Sequence, residues 1–431
     1  MFSSGEVGNP SSDDPAPART DDPSPARLLP WRATATENPR IRVSDTYDTI
    51  QSQELQTLRR IFALIGMYPV GYFDLAVAAL PMHATSFRPV DKRSLQKTPF
   101  RVLTTILRLE LLRSDAAQNL ALSLLKRRQI SIDELLRLLD VAGKQRNQLT
   151  QSQAEKFIAK GLRSFSWQCP AVANHSQYSL LNLEHPILAD ISCFRSAHIN
   201  HLTPRTLDMN EAQSTVLEAG MAVKSRIEGP PPRKCPILWR QTSFLALEEK
   251  IRSPSRNDHI EERRTAVTPT GQRGTSDAAN PRTVDEIMSE TFQQYPDDWS
   301  ELWRQGLVYC EYQCTGKAMT TPPLGESQIS SLILEHLIAD GVVEAIPITY
   351  EDFLLFSAAG IFQLNLQVNS KSSRAAVGGG SDKGKSSADL ECFERALRCR
   401  IFDSDKLYVQ VQKQSLESCA KEPALRAQVL W

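Results

Sequence analysis

Hydrophobic residues recur every three or four positions in several stretches of the chain, which is the spacing of one helix face. The clearest stretch is 55–65, and it follows Asp48 and Gln51, which are spaced as a helix-capping box. Similar pairs predict three more helix starts: Ser131 with Glu134, Thr150 with Gln153, and Thr283 with Glu286. Apolar spacing alone predicts helices over 115–127, 209–220 and 329–337.

Short runs of β-branched or apolar residues between turn residues predict strands. These runs lie at 68–77, 187–194, 199–203, 225–228, 237–242, 307–312 and 342–348, while 100–112 fits both periods. A loop at Asn38 leads into a further short strand, and 258–261 has the alternation of a polar strand. The sequence therefore predicts an α+β fold, with a helical insertion at about 113–185 between two strand-rich blocks.

The distribution of apolar residues also divides the chain into regions. Hydrophobic residues make up 41% of the 431 positions, which is enough for a sizeable core. Residues 1–30 and 370–389 contain few large apolar groups and many small or polar ones. We therefore predict a disordered tail over 1–36, a main domain over 37–369, a flexible linker over 370–389, and a C-terminal helical segment over 390–431 that packs on the domain.

The charge balance narrows the choice of partners and compartment. There are 50 basic and 50 acidic residues, so the chain is no bulk polycation and is not expected to bind nucleic acid. The most apolar stretch, 61–82, is broken by Gly66, Pro69 and Pro81, and we expect no membrane span. The first 30 residues resemble neither a secretory signal nor a mitochondrial presequence, which favours a cytoplasmic protein. Eight cysteines without a Cys-x-x-Cys pair indicate buried thiols rather than a zinc ribbon.

Three groups of residues could carry chemistry. His198 and His201 are three apart on a predicted strand, so they face opposite sides and at most one points into a given cavity. In 258–261, His259 and Glu261 share one face. Arg42 could bind a carboxylate through two parallel hydrogen bonds. Taken alone, each group fits a structural or solvated role better. The chain also lacks a phosphate-binding glycine loop, a nucleophile elbow and a His-Glu-x-x-His motif.

A series of longer motifs is more specific, because they occur in one order along the chain. They are GMYPVGY at 66–72, FRP at 87–89, NHLTPRTLD at 200–208, IEGPP at 227–231, CPIL at 235–238, RQTSF at 240–244, YEDF at 350–353 and SAAGIFQ at 357–363. Together they resemble the 2-oxoadipate dioxygenase/decarboxylase family, also called D-2-hydroxyglutarate synthase. The resemblance extends over about 37–420, interrupted at 370–389.

This resemblance implies a curved, partly open mixed sheet of the vicinal-oxygen-chelate type with helical insertions. It also implies Fe(2+) held by two histidines and one glutamate, with positions left for a 2-oxo acid and O2. The implied reaction converts 2-oxoadipate and O2 to D-2-hydroxyglutarate and CO2, a step in lysine breakdown. The oligomeric state is not implied.

Carried over residue by residue, the resemblance assigns the metal positions to Asn38, His201 and His259. Asn38 stands where the family has its first histidine, and His259 stands where the family has its glutamate. Arg42 matches the family's substrate-contacting arginine and is the expected catalytic residue. Phe356, at a family valine position, and Ser357 are the other expected substrate contacts.

These differences leave alternatives open. The metal-binding histidine could be His198 instead of His201, and Glu261 or Asp258 could replace the lost carboxylate. The chain could also be a catalytically impaired homologue that keeps the fold and binds a 2-oxo acid or a partner protein, or its two changed stretches could be errors of gene assembly. In every case we expect Arg42, His201 and 258–261 to converge on one cavity, with 357–362 on its wall.

Overall fold

The structure is a computed structural model. It describes residues 40–45, 50–78, 80–128, 133–166, 171–194, 205–221, 223, 227, 229–247, 256–263, 265–266, 268, 290, 292–317, 330–353 and 383–422.

Helices and strands are mixed along the described chain, as expected for an α+β fold. The strands are β1 (Arg40–Asp45), β2 (Tyr68–Asp74), β3 (Met82–Arg88), β4 (Val102–Arg108), β5 (Trp239–Leu247), β6 (Arg256–Arg263), β7 (Cys310–Cys314) and β8 (Val343–Pro347). The helices of the first half are α1 (Ile50–Leu64), α2 (Lys92–Lys97), α3 (Asp115–Leu125), α4 (Asp133–Lys144), α5 (Gln151–Phe165), α6 (His175–Glu184), α7 (Pro186–Ser192) and α8 (Met209–Glu218). Those of the second half are α9 (Trp299–Arg304), α10 (Ser330–Ala339), α11 (Lys383–Leu397) and α12 (Ser404–Lys421).

The largest sheet in the described part has four strands in the order β1-β4-β3-β2. β1 runs parallel to β4, and the other two pairs are antiparallel. The register of β2 shifts between Val70 and Tyr72, where Gly71 adopts a φ of +73° that a residue with a side chain rarely adopts. The open, mixed sheet confirms the predicted fold class. Two further pairs, β5 with β6 and β7 with β8, form antiparallel two-stranded sheets.

The four-stranded sheet separates two hydrophobic cores, because alternate residues of a strand point to opposite faces. On one face, residues such as Met82, Ala84 and Leu103 pack with α3, α6 and α7. On the other face, Phe87 and Ile106 pack with α1, α4, α5 and α11. A third core lies between β7, β8, α9, α10 and α12.

The outer edge of β7 is covered by α12. The backbone amide of Cys310 donates to Gln412 Oε1 at 2.9 Å, and that of Tyr312 donates to Ser415 Oγ at 3.0 Å. The other described strand beside β7 is β8, so each edge of β7 has hydrogen-bonding partners. Cys310 is buried, and this burial raises the pKa of its thiol to about 12.

Three sequence predictions differ from the structure. The stretch 187–194 was predicted as a strand, but α7 begins at Pro186, and His185 caps it by accepting the amide of Ile187 at 3.2 Å. This helix is buried on nearly all sides, so its sequence lacks helical periodicity. The central strand β3 was not predicted. α11 begins at Lys383, inside the stretch 370–389 that was predicted as a linker.

Other predictions agree with the structure or lie outside its described part. Thr150 and Gln153 form the predicted capping box, and α1, α3, α4, α8 and α10 occur where apolar spacing or capping predicted them. The 199–203 and 225–228 strands, the helix start at Thr283 and the 1–36 tail fall outside the described residues. Among the described helices, none combines the length and apolar character needed to cross a bilayer.

Candidate functional site

The structure describes the backbone position of two of the six residues assigned by resemblance. Arg42 is in the middle of β1, paired with Thr105 of β4. His259 is in β6, paired with Ser243 of β5. Asn38, His201, Phe356 and Ser357 lie outside the described residues, as does the alternative ligand His198.

The register of β6 separates the two candidate carboxylates. Glu261 pairs with Gln241, two positions from the His259 pair, so His259 and Glu261 are on one side of the β5–β6 ladder. Asp258 is on the other side, together with Arg240. Arg240 Nη2 donates to Asn210 Oδ1 of α8 at 3.2 Å, so α8 covers the Asp258 side. Glu261 is therefore the carboxylate that shares a side with His259.

β5 and β6 are joined to a segment of the chain that precedes Phe356 and Ser357. Thr265, just after β6, forms a parallel bridge with Ile237 and an antiparallel bridge with Thr349. Thr349 begins the segment 349–353, which we call the acidic segment because it contains Glu351 and Asp352. The acidic segment thus lies beside the end of β6.

Asp352 connects the acidic segment to the four-stranded sheet. Arg88, at the end of β3, donates from Nε to Asp352 Oδ1 at 2.7 Å and from Nη2 to Oδ2 at 2.9 Å. Both side chains are buried, with 3% of each exposed. Tyr408 of α12 donates its hydroxyl to Asp352 Oδ2 at 2.6 Å, and Arg101 donates to the Asp352 carbonyl oxygen. A two-pronged, buried arginine–carboxylate pair fixes both the position and the orientation of Asp352.

Glu351 connects the acidic segment to the chain that follows His201. Arg205 Nη2 donates to Glu351 Oε2 at 3.0 Å, and both side chains are largely buried. At the other end of 195–204, Phe194 belongs to the same core as Phe353. The stretch 195–204, which contains both candidate histidines, is therefore flanked on one side by Arg205, which is bonded to the acidic segment. On the other side it is flanked by Phe194, which lies in the core that includes Phe353.

One face of the four-stranded sheet also contacts the acidic segment. By register, Phe73 of β2 and Ala84 of β3 are on this face. The ring of Phe353 lies 6.4 Å from that of Phe73. The flanks of 195–204 and 256–263 thus contact the acidic segment or the core beside it, and 354–357 follow it in the chain. Arg42 lies on β1, at the opposite edge of the four-stranded sheet from β2 and Phe73.

Burial controls the protonation of this network. Burial raises the pKa of Glu351, an effect opposed by Arg205, Arg101 and Arg88. Burial and the neighbouring Asp352 carboxylate raise the pKa of Tyr408 well above its ordinary value. Tyr408 is therefore a stable hydrogen-bond donor to Asp352 at any physiological pH.

A cavity of about 480 Å³ lies elsewhere, between β7 and α12. Its lining includes Cys314, Lys317 and Cys419, and it contains no residue assigned by the resemblance. Burial raises the pKa of Cys419 to about 12, which keeps this thiol protonated and weakly nucleophilic.

Comparison with known proteins shows the family of the chain. A sequence model of the 2-oxoadipate dioxygenase/decarboxylase family matches residues 47–365. The chain belongs to this family. It is 39% identical over 387 residues to the 2-oxoadipate dioxygenase/decarboxylase of Escherichia coli (strain K12), covering 85% of this chain and 83% of that protein. It is 37% identical over 394 residues to that of Pseudomonas putida, covering 86% and 82%.

Solved structures support the same membership. The crystal structure of hydroxyglutarate synthase from Pseudomonas putida in complex with 2-oxoadipate has a TM-score of 0.74 and 35% sequence identity. The similarity covers 91% of this chain and 85% of the solved chain. This chain therefore shares its fold with a hydroxyglutarate synthase whose structure was solved in complex with 2-oxoadipate.

Sequence reasoning did not predict the buried network around Asp352. Arg88 and Asp352 both lie in motifs that carry the resemblance, but 264 positions separate them. Arginine and aspartate inside otherwise apolar motifs were a usable signal, since such charges are rarely buried without a partner. Tyr408 had no comparable signal, because a single tyrosine on a helix is most often an ordinary core residue.

Proposed function

We propose that this chain is a 2-oxoadipate dioxygenase/decarboxylase that converts 2-oxoadipate and O2 to D-2-hydroxyglutarate and CO2, as a cytoplasmic step of lysine breakdown. The observation that carries the proposal is the similarity, over 91% of the chain, to a hydroxyglutarate synthase whose structure contains 2-oxoadipate.

The proposed roles follow the carried-over positions. Arg42 binds a carboxylate of 2-oxoadipate through its planar guanidinium and fixes the orientation of the substrate. Phe356 and Ser357 line the substrate, and Phe356 narrows that wall relative to the family's valine. The acidic segment, held by Arg88 and Arg205, leads directly into this wall.

The donor types in this chain fit Fe(2+) only when a carboxylate is included. Asn38, His201 and His259 offer two imidazoles and one neutral amide, whereas non-haem iron oxygenases use two histidines and one carboxylate. Glu261, on the same side of the β5–β6 ladder as His259, would provide that carboxylate. We therefore propose that His201, His259 and Glu261 hold the iron, with Asn38 as a weak additional ligand. When bound, Fe(2+) would supply the sites at which O2 and the 2-oxo acid react.

A second candidate is a catalytically impaired homologue that binds a 2-oxo acid without turning it over. The observation that favours it is the loss of two family ligands, at Asn38 and His259. An amide oxygen is a weaker ligand than imidazole, and histidine in place of glutamate removes one negative charge beside the metal.

One experiment separates the two candidates. The protein is loaded anaerobically with Fe(2+), then O2 and 2-oxoadipate are added, and CO2 and D-2-hydroxyglutarate are followed with time. Turnover by the unmodified chain that is abolished by Glu261→Gln supports the enzyme and its substituted carboxylate. Binding of 2-oxoadipate without turnover supports the impaired homologue, and absence of both contradicts the two proposals.

A further inference from the structure

The buried network around the acidic segment includes one residue from the C-terminal helix. Tyr408 lies on α12, beyond the residues 47–365 that match the family. Its side chain is buried, with 5% of the residue exposed. The proposed reaction assigns it no role.

Both hydrogen bonds of the Tyr408 hydroxyl are directed at consecutive residues of the acidic segment. The hydroxyl donates to Asp352 Oδ2 at 2.6 Å and accepts the backbone amide of Glu351 at 2.8 Å. One bond therefore holds a side chain and the other holds the main chain. Together they hold two of the last residues of the acidic segment, which precedes Phe356 and Ser357 in the chain.

We propose that Tyr408 is a positioning residue for substrate binding, which acts through Glu351 and Asp352 on the wall that contains Ser357. The inference rests on the proposed function, because that function places Phe356 and Ser357 beside 2-oxoadipate. It extends the site to α12, a helix that follows residues 47–365 in the chain.

The buried network keeps most of its contacts when the Tyr408 hydroxyl is removed. In Tyr408→Phe, Asp352 keeps both hydrogen bonds from Arg88, at 2.7 and 2.9 Å. The ring itself remains, with its stacking on Tyr309 and Tyr350. The group that changes most is the Glu351 amide, which loses the hydroxyl it donates to. The expected consequence is a shift of the acidic segment, and displacements of about 1 Å at a binding site cost up to roughly 100-fold.

Tyr309 provides a matched control. It is as buried as Tyr408, with 4% exposed, and its ring lies 5.3 Å from that of Tyr408. Its hydroxyl donates to Asp405 Oδ1 at 3.2 Å, and Asp405 lies on α12 rather than in the acidic segment. Tyr309→Phe therefore removes a buried hydroxyl from the same stack without touching Glu351 or Asp352.

The test compares the full-length parent, Tyr408→Phe and Tyr309→Phe. Anaerobic isothermal titration of the iron-loaded protein with 2-oxoadipate gives Kd, and kinetics after addition of O2 give KM and kcat. We expect Tyr408→Phe to raise Kd and KM roughly tenfold while kcat changes less than about threefold. Tyr309→Phe should stay within about twofold of the parent in every value. Equal effects of the two variants, or a Tyr408→Phe effect confined to melting temperature, would overturn the inference.

A second measurement needs no variant. In the parent, 2-oxoadipate should slow hydrogen exchange in peptides covering 349–353 and 404–412, but not in α9. Slowing that does not reach 404–412 counts against a role for Tyr408 while leaving the proposed function intact. A parent that fails to bind 2-oxoadipate even after anaerobic iron loading refutes the proposed function, and with it this inference.

Discussion

Glu54 should make the protein less stable as pH rises from acidic to neutral values. This glutamate of α1 is buried, with 7% exposed, and neither carboxylate oxygen accepts a hydrogen bond among the described residues. Its nearest cation is Arg128, whose Nε lies 3.6 Å from Glu54 Oε1. Burial raises the pKa of Glu54 from 4.5 to about 7, and the attraction to Arg128 only partly opposes this rise.

The sign of the effect follows from linkage. Between pH 4.5 and 7 the folded state keeps the Glu54 proton, whereas the unfolded state loses it. The free energy of unfolding therefore contains a favourable contribution below pH 4.5 that disappears as the pH rises to 7 and above. A pKa difference of this size corresponds to a loss on the order of 2–3 kcal/mol between pH 5 and pH 8.

The perturbation is Glu54→Gln, which keeps the shape and removes the titration. Urea unfolding of the parent and the variant at pH 5 and pH 8 measures both free energies. The variant should gain about 2–3 kcal/mol relative to the parent between pH 5 and pH 8. The control is Glu218→Gln, an exposed substitution in α8, whose difference from the parent should change by less than about 0.5 kcal/mol. A Glu54→Gln difference as constant with pH as that of the control would refute the reasoning.

Asp352→Asn leaves a buried arginine without its carboxylate and should lower the free energy of urea unfolding by about 3–5 kcal/mol. Glu335→Gln, in an exposed ion pair, should cost less than about 1 kcal/mol, and equal losses would contradict the burial argument. Arg42→Ala should weaken 2-oxoadipate binding by about 2–4 kcal/mol in isothermal titration, and an unchanged Kd would remove Arg42 from the site. If the chain is the impaired homologue, the double change Asn38→His with His259→Glu restores the family's two histidines and one glutamate and should tighten Fe(2+) binding at least roughly tenfold in competition with a chelator. No tightening would contradict the assignment of the lost ligands to these two positions.

Local signals were sufficient where an element is specified by its own residues. Thr150 and Gln153 carry all the groups of a capping box, and the box forms with bonds of 2.9 and 3.4 Å. The strand β3 could not be predicted in this way. Its positions are buried on both faces, so Met82, His83 and Ala84 show no alternation, and the strand forms because β2 and β4 pair with it.

The same distinction between local signals and long-range contacts applies to the candidate site. Motifs and spacing were enough to place Arg42 in a strand and His259 with Glu261 on one strand face, since these depend on short-range pattern. The contact between Arg88 and Asp352 depends on folding across 264 positions, and no local pattern encodes it. Tyr408 was harder still to predict, because its proposed role depends on its contact with Asp352 and not on its own neighbours in the sequence.

The cover that α12 provides for β7 has a consequence for handling and for truncated forms of the protein. Cys310 and Tyr312 donate their outward-facing amides to Gln412 and Ser415, so no row of free amides is left at that edge. A chain that ends before Ser404 would present this edge as a template on which another molecule could add a strand. We therefore expect proteolytic loss of α12 to lead to intermolecular β-sheet and precipitation, detectable by thioflavin fluorescence, before the four-stranded sheet unfolds. α12 therefore protects the edge of β7 from self-association.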